Sequence, residues 1–417
     1  MSSVPRCPVA HEFIPSETGS HPEPFAWYRE LRQTGRVVYQ PIFDWYVVTR
    51  YEEVASVLRD AVTFSNVDSL GTDKPVPSEI RAEFGEDFDL HCEKFLTLND
   101  PPEHSRLRKL MAPAFTPRRM REYAQLIREI ADARIDAIAE RGEADLATDF
   151  AYLIPNKIIA KITGADDDVA DEFVPWTEAF LRMRVSSDAD AQDVDDWRGL
   201  AEQWTYTESL VDNRRLAPQN DLATDLIAAR SDDGEPALTN EEIISNIAGF
   251  FGAGSETSAI MMVHTVYLLL QDPKLWGELR DDPQLIDAAI EEGLRLRGPV
   301  RGLVRVVTKD TEIGGVPIPE GAHVYISLAS ANHDDEVFED AEQFDIHRPK
   351  QVNGHLAFGK WAHFCIGASL ARLEGKVALE ALLERLPNLR ISPDQGPLEY
   401  ADNPVLPAVK SLRVKWD

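Results

Sequence analysis

Hydrophobic positions along this chain change period several times, and each change marks an element. Near the N-terminus, "RVVYQ" and "WYVVTR" carry β-branched and aromatic runs on either side of "PIFD", the pattern of a hairpin. "YEEVASVLRD" follows with apolar residues at helical spacing. Residues 65–100 are weakly periodic and rich in Gly, Pro, Asp and Ser, so they read as a long loop with short helical pieces. Such loops in compact domains often serve as lids or binding loops. From 102 to about 234 the pattern is mostly helical, broken at acidic turns such as "GADDD" and "SSDADAQD". A long helix starts after Thr239, where Glu242 completes a capping-box signature and acids occupy the first turn; "QDP" stops it. "PQLIDAAIEEGLRLRG" predicts a shorter helix that begins at Pro283 and ends before Pro299. A β region follows in "LVRVVT", "TEIGGVPIPEG" and "HVYISLA". "ASLARLEGKVALEALLERLP" is an amphipathic helix starting near Ala368, and "SLRVKWD" a closing strand. No repeat, low-complexity tract or linker divides the chain. It reads as one mainly α domain over 1–417 with small β-sheets at one side, residues 1–23 forming a lead-in.

Composition narrows the function classes. Hydrophobic residues make up 43% and charged residues 28% of the 417, a globular profile. The balance of 43 Lys and Arg against 72 Asp and Glu, a formal charge of -29, disfavours nucleic acid and anionic membrane, which need basic surface. Three cysteines, Cys7, Cys92 and Cys365, are too few and too scattered for a disulfide framework. With no signal or transit pattern in "MSSVPRCPVAHEF", a reducing cytoplasm is the expected location. Residues 247–270 are apolar enough to imitate a membrane span, but Glu256 and His264 interrupt them and "NEE" and "QDP" flank them. They are read as a helix buried all round in a protein core.

Four constellations carry candidate chemistry. In "HLAFGKWAHFCIGASLARLE", Cys365 lies just ahead of a helix among glycines that let backbone approach a flat ligand. A thiolate there is stabilised by the helix dipole and nearby amides and suits a soft axial ligand to haem iron; the competing reading is a buried cysteine in a Gly-rich turn. In and just before "AGSET", residues 253–257, glycines 249, 252 and 254 lead up to Glu256 and Thr257. Thr257 can bond back to the carbonyl of Ala253, and Glu256 beside it makes a proton relay; the competing reading is close helix packing. In "EEGLR", Glu292 and Arg295 share one helix face, and Arg348 follows in "FDIHR", giving a surface pair or a buried structural network. From His104 to Arg121 six cations (Arg106, Arg108, Lys109, Arg118, Arg119, Arg121) occur without an acid. They balance acidic neighbours, or receive carboxylates or an acidic partner.

Taken in order, "HSRLR", "AGSET", "EEGLR", "LVRVV", "ANHDD", "FDIHR" and the Cys365 segment resemble the cytochrome P-450 family in its soluble bacterial form, from about residue 24 to the C-terminus. The resemblance implies a triangular, mainly α prism holding haem b between a long distal helix and a proximal cysteine loop, with 65–100 as a substrate-access loop. It implies Cys365 as the thiolate on iron and Glu256 with Thr257 as the acid–alcohol pair that supplies protons to dioxygen. It implies His104, Arg108, Arg305 and His363 as the holders of the haem propionates, through charge-assisted hydrogen bonds. Glu292, Arg295 and Arg348 would form the folding network. The implied reaction inserts one atom of dioxygen into a small hydrophobic substrate, by hydroxylation or oxidative demethylation. No Gly-rich flavin or NAD fingerprint is present. Electrons would therefore come from a ferredoxin and its reductase, docking near Arg118, Arg119 and Lys360, with Arg372 a further candidate. Alternatives are a peroxide-using or NO-reducing haem-thiolate enzyme and a non-enzymatic haem sensor.

The departures are specific. Trp361 stands where the family's cysteine loop usually has Gly, His333 where Arg is usual, Ala341 where Pro is usual, and Glu256 where Asp is commoner. Trp361 requires a permissive φ and a ring that lies outward or over the propionate edge. The expected substrate pocket comprises Gly249, Phe250, Gly252, Ala253, Val300 and Leu303. Its glycines would remove bulk above the haem, which leans toward an aromatic or terpenoid substrate.

Overall fold

The computed structural model describes residues 25–69, 75–86, 88–185, 194–349, 354–401 and 405–417. The 1–23 lead-in, Cys7 and part of the 65–100 loop lie outside them. The expected hairpin forms: β1 (Val37–Gln40) pairs antiparallel with β2 (Trp45–Val48), Val37 opposite Val48. The helices α1 (Phe25–Thr34) and α2 (Tyr51–Arg59) flank it. β3 (Phe64–Ser65) leads into the long loop, whose described residues include α3 (Ser78–Phe84) and two short 3-10 turns.

The helical stretch comprises α4 (Glu103–Met111), α5 (Pro117–Ile138), α6 (Leu153–Thr163), α7 (Phe173–Val185), α8 (Val194–Leu216) and α9 (Leu222–Ala228). It is interrupted by β4 (Glu143–Asp145), which the helical reading of 102–234 missed. α10 (Asn240–Gln271) is the expected long helix, and both capping-box bonds are made: Glu242 N donates to Thr239 Oγ1 and Thr239 N to the Glu242 carboxylate. α11 (Pro273–Asp281) and α12 (Ile286–Arg297) follow, the latter entered through a 3-10 turn at Pro283.

The β region supplies β5 (Leu303–Val307), the hairpin of β6 (Thr311–Ile313) with β7 (Val316–Ile318), and β8 (His323–Ile326). Its main sheet has the order β1-β2-β8-β5-β3. α13 (Leu328–Asn332) precedes the cysteine loop, and α14 (Ala368–Arg385) follows it. The chain ends in β9 (Arg390–Ile391) and β10 (Arg413–Lys415), which pair with β4 in a three-stranded sheet.

α10 runs through the centre, packed against α6, α7, α8, α12 and α14. Ile247, Phe251, Ile260, Val263 and Leu269 on it are fully buried, each side chain contributing about 1.5–3 kcal/mol. His264 is buried too, bridging the Arg297 carbonyl and the Tyr400 hydroxyl. Among the described residues no helix is long and apolar enough to cross a membrane, so residues 247–270 are core.

Candidate active site

The cysteine loop is a tight reversal closed by its own amides. Gly359 N donates to the Leu356 carbonyl at 2.8 Å, and Cys365 N to the Phe358 carbonyl at 2.9 Å. Gly359 and Trp361 both take positive φ, +65° and +55°. The turn delivers Cys365 to the N-terminus of α14, where Ala368 N donates to its carbonyl at 3.3 Å and the amides of Gly367 and Ala368 act on its sulfur. Burial pushes the thiol's pKa up, and those amides with the Arg108 and Arg372 charges pull against it. Trp361 thus adopts the left-handed conformation its glycine counterpart would, at a cost of about 1–2 kcal/mol. Its ring points outward, 47% exposed, with Lys360 Nζ 5.7 Å from its centre.

Beside the loop, four cationic or imidazole side chains converge. The rings of His104 (α4) and His363 lie 3.9 Å apart. Asn66 Nδ2 and His363 Nε2 are 2.9 Å apart, and Asp100 accepts from Ser65 and Asn66. Arg305 on β5 is buried, with Nη1 donating to the Val304 carbonyl. Burial, then His104 and Arg305, drive the His363 pKa down to about 3. Burial lowers Arg305 to about 10, and burial with Arg108 lowers His104. His104 Nδ1 is buried without a hydrogen-bond partner. Among the described residues Asp100 is the only acid among the main causes of these shifts, so the cluster is poor in negative charge. A pair of ligand carboxylates would satisfy it.

Opposite, α10 is buried nearly all round except along one stripe: Ala248, Gly249, Gly252, Ala253 and Thr257 are partly or fully open, as is Gly254 beside it. Thr257 Oγ1 donates to the Ala253 carbonyl at 2.8 Å. Glu256, about 100° round the helix from Thr257, is 1% exposed, and its Oε2 has no hydrogen-bond partner. Burial raises its pKa to about 8, with the Glu178 charge adding to the rise. It is therefore mostly protonated at neutral pH, and the expected acid–alcohol neighbours diverge in direction.

Ala248, Gly249, Gly252 and Ala253 of the stripe floor a cavity of about 170 Å³ walled by Leu90, Phe95, Trp176, Phe180 and Trp204; Thr257 lies one turn beyond its lining. Gly249, Gly252 and Ala253 line it as expected. Phe250, Val300 and Leu303 do not: Phe250 packs against Phe95 and Phe115, and Val300 and Leu303 lean on the core of the main sheet. The glycines are also where neighbouring side chains touch the helix. A side-chain carbon at Gly249 would strike the Phe95 ring, at Gly252 Thr177, and at Gly254 Ile159. Close packing is what they serve. Sequence reasoning also missed Ser245, Gln203, Trp176 and Trp204 of this lining. Stepping back from Ala253 by helical intervals reaches Gly249 and Ser245, a signal present in the sequence.

The EEGLR residues form a buried network. Arg295 makes two bonds to the Glu292 carboxylate, at 2.8 and 2.7 Å, and Arg348 Nε a third at 3.0 Å. Arg295 also holds the Asn332 and Ala341 carbonyls. The unusual Ala341 thus contributes its backbone, and His333 stacks on Phe25 and bonds the Ala329 carbonyl. The basic stretch divides: Arg106 and Arg119 are bound to Glu242 and Asp225, whereas Lys109, Arg118 and Arg121 are exposed. Lys360 donates to the Tyr51 hydroxyl, and Arg372 pairs with Glu291.

A prism of helices around a central α10, with a cysteine at the start of α14, defines a haem-thiolate protein. Residues 200–410 match the family described as Cytochrome P450. The chain is 35% identical to cytochrome P450 107B1 of Saccharopolyspora erythraea, over 89% of each chain. It is 36% identical to the mycinamicin IV hydroxylase/epoxidase of Micromonospora griseorubida, again over 89% of each. Among solved structures, cytochrome P450 CREJ in complex with (4-ethylphenyl) dihydrogen phosphate superposes with a TM-score of 0.88 at 30% identity, covering 98% of this chain and all of that one. The chain belongs to the cytochrome P450 family. It is an oxidoreductase that binds haem b and acts as a monooxygenase on a hydrophobic substrate, with dioxygen and a redox partner. This favours the monooxygenase reading over the peroxide-using, NO-reducing and sensor alternatives.

Proposed function

We propose that Cys365 ligates the haem iron, that His104, Arg108, Arg305 and His363 hold its carboxylates, and that Thr257 and Glu256 manage protons on the distal side. One observation carries this reading: His104, with its Nδ1 unpartnered, and buried Arg305 gather at His363, two residues from Cys365 in the same loop. Haem held there would supply the activation of dioxygen, one atom of which would enter the substrate while the other would leave as water, with two protons and two electrons taken up.

The chain's own residues do the rest. The amides of Gly367 and Ala368 favour the thiolate over the thiol. The Thr257 hydroxyl, whose proton goes to the Ala253 carbonyl, stands on the open stripe as an acceptor to whatever meets it. Glu256 keeps a proton behind that stripe, with part-exposed Glu178 close enough for its charge to act on it. Glu292, Arg295 and Arg348 lock α12 to the segment before the cysteine loop. The whole chain serves as one catalytic domain, with the 65–100 loop controlling access through Leu90 and Phe95. A cytoplasmic location fits the reducing environment that its thiols need. A small ferredoxin with its reductase supplies electrons, docking on exposed Arg118 and on Lys360. Ser369 at the start of α14 reaches Met120, which sets the first turn of α5 beside the cysteine loop. Arg119 is bound inward to Asp225 and contributes less.

The proton assignment is tested by the fraction of reducing equivalents that end in product. In the parent enzyme this fraction falls above about pH 8, because the Glu256 carboxyl loses its proton there. In Glu256→Gln the fraction is low and flat with pH, and Thr257→Ala diverts electrons to hydrogen peroxide. A Glu256→Gln enzyme with the parent pH profile refutes the role of Glu256.

A further inference from the structure

Three features of the cavity beside α10 converge on one kind of occupant. Its walls are aromatic: Phe95, Trp176, Phe180 and Trp204 present ring faces and edges. Flat rings pack against such walls by offset or edge-on stacking, worth about 0.5–1.5 kcal/mol per pair beyond burial. The lining is also uncharged. Among the described residues it contains no carboxylate, ammonium, guanidinium or imidazole group. An ionised ligand would enter without a counter-charge and forfeit its hydration.

The third feature is a polar end. Ser245 lines the cavity, is 3% exposed, and its hydroxyl has no hydrogen-bond partner. A buried hydroxyl left unmatched costs about 1–3 kcal/mol, which a ligand group meeting it would recover. Gln203, also in the lining, spends its amide nitrogen on the Ala248 carbonyl at 3.2 Å and so offers its oxygen as an acceptor. Ala248 is one helical turn from Ser245, so the two polar groups sit at the same end.

We infer that the substrate is an uncharged aromatic compound with a hydroxyl at one end, held by Ser245 and Gln203, and its oxidised carbon at the other, beside Ala253. A hydroxyl fits better than a carbonyl because it can accept from Ser245 while donating to Gln203. The span is set by the helix. Ser245 and Ala253 are eight residues apart, roughly 12 Å along the axis. A single ring cannot bridge that distance; two linked rings, or a ring with a short arm, can. Where oxidation falls rests on the monooxygenase reading above, whereas the binding preference does not. At the far end one C–H becomes C–OH, with dioxygen and two electrons from the redox partner consumed, two protons taken up and one water released.

The test titrates haem-loaded protein with three isosteres: biphenyl-4-ol, biphenyl and biphenyl-4-carboxylate. Binding is read twice, by quenching of tryptophan fluorescence, since Trp176 and Trp204 line the cavity, and by the haem absorption shift. Biphenyl-4-ol is expected to bind at least tenfold more tightly than either analogue. Ser245→Ala is expected to weaken biphenyl-4-ol about five- to tenfold, one neutral hydrogen bond's worth, and to leave biphenyl unchanged. Turnover is expected to oxidise the ring remote from the hydroxyl. Carboxylate binding as tight as the alcohol, or an equal loss for alcohol and hydrocarbon in Ser245→Ala, overturns the inference, as does oxidation beside the existing hydroxyl. If the reduced protein with carbon monoxide lacks the thiolate band, the Cys365 assignment fails. The fluorescence ranking of the three ligands then still decides the binding claim on its own.

Discussion

Glu374 lies nine residues beyond Cys365 on α14, facing α10, with 0% exposure and neither carboxylate oxygen hydrogen-bonded. Burial raises its pKa to about 8; Ser258 opposes the shift without a bond of normal geometry. Between the unfolded value of about 4.5 and about 8, the folded protein therefore keeps a proton that the unfolded chain has released. Stability from this group is complete below about pH 4.5 and is lost as pH rises through 8. The slope is about 1.4 kcal/mol per pH unit, or about 3 kcal/mol between pH 5 and 7.5. Glu374→Gln keeps the shape and removes the ionisation. At pH 5 its stability should match the parent within about 1 kcal/mol, one hydrogen bond's worth. By pH 7.5 it should exceed it by about 3 kcal/mol, the full linkage term. Glu256 has a similar slope in both proteins and cancels in the difference. Urea unfolding of the haem-loaded proteins at pH 5, 6, 6.5 and 7.5, followed by tryptophan fluorescence, measures that difference. A gap that does not change with pH refutes the reasoning.

Two further outcomes follow from the geometry. Arg295→Met leaves Glu292, 5% exposed, with Arg348 as its only remaining guanidinium and frees the Asn332 and Ala341 carbonyls; a loss of about 3–5 kcal/mol and of haem content is expected in thermal unfolding. Trp361→Gly relieves a φ of +55° and should raise stability by up to about 1 kcal/mol, whereas Trp361→Ala keeps the strain, loses the ring and should not; equal effects of the two would show that the backbone conformation is not the cause.

Reading the sequence succeeded where local chemistry decides the structure. The capping box fixed the start of α10, and Pro283 and Pro299 framed α12, because those residues act on their own backbone neighbours. The short strands β3, β4 and β9 were not legible. They are two or three residues long and exist only through pairing with distant partners, as Ala144 does with Val414. The cavity failed for the same reason. Phe95, Trp176 and Trp204 come from three segments, and their meeting over α10 leaves no trace in the spacing of any one. Trp361 is the intermediate case: its position was a visible oddity, but the direction of its ring depended on the turn.

The glycines of α10 show why motif and role come apart. Each sits where a neighbouring side chain touches the helix, and the neighbours differ: an aromatic ring at Gly249, a hydroxyl-bearing chain at Gly252, an aliphatic one at Gly254. Small residues are demanded here by what presses on the helix from outside. Pressing Phe95 and Thr177 onto the stripe also sets the cavity's cross-section, so one contact fixes both the packing and the shape of the space beside it. Glu256 belongs to the opposite logic. It pays for burial without a bound partner for Oε2, and no packing requirement explains a carboxyl there, since an apolar residue of similar size would cost less. A helix that minimises side chains on its open stripe while keeping a protonated acid directly behind it is organised around that stripe.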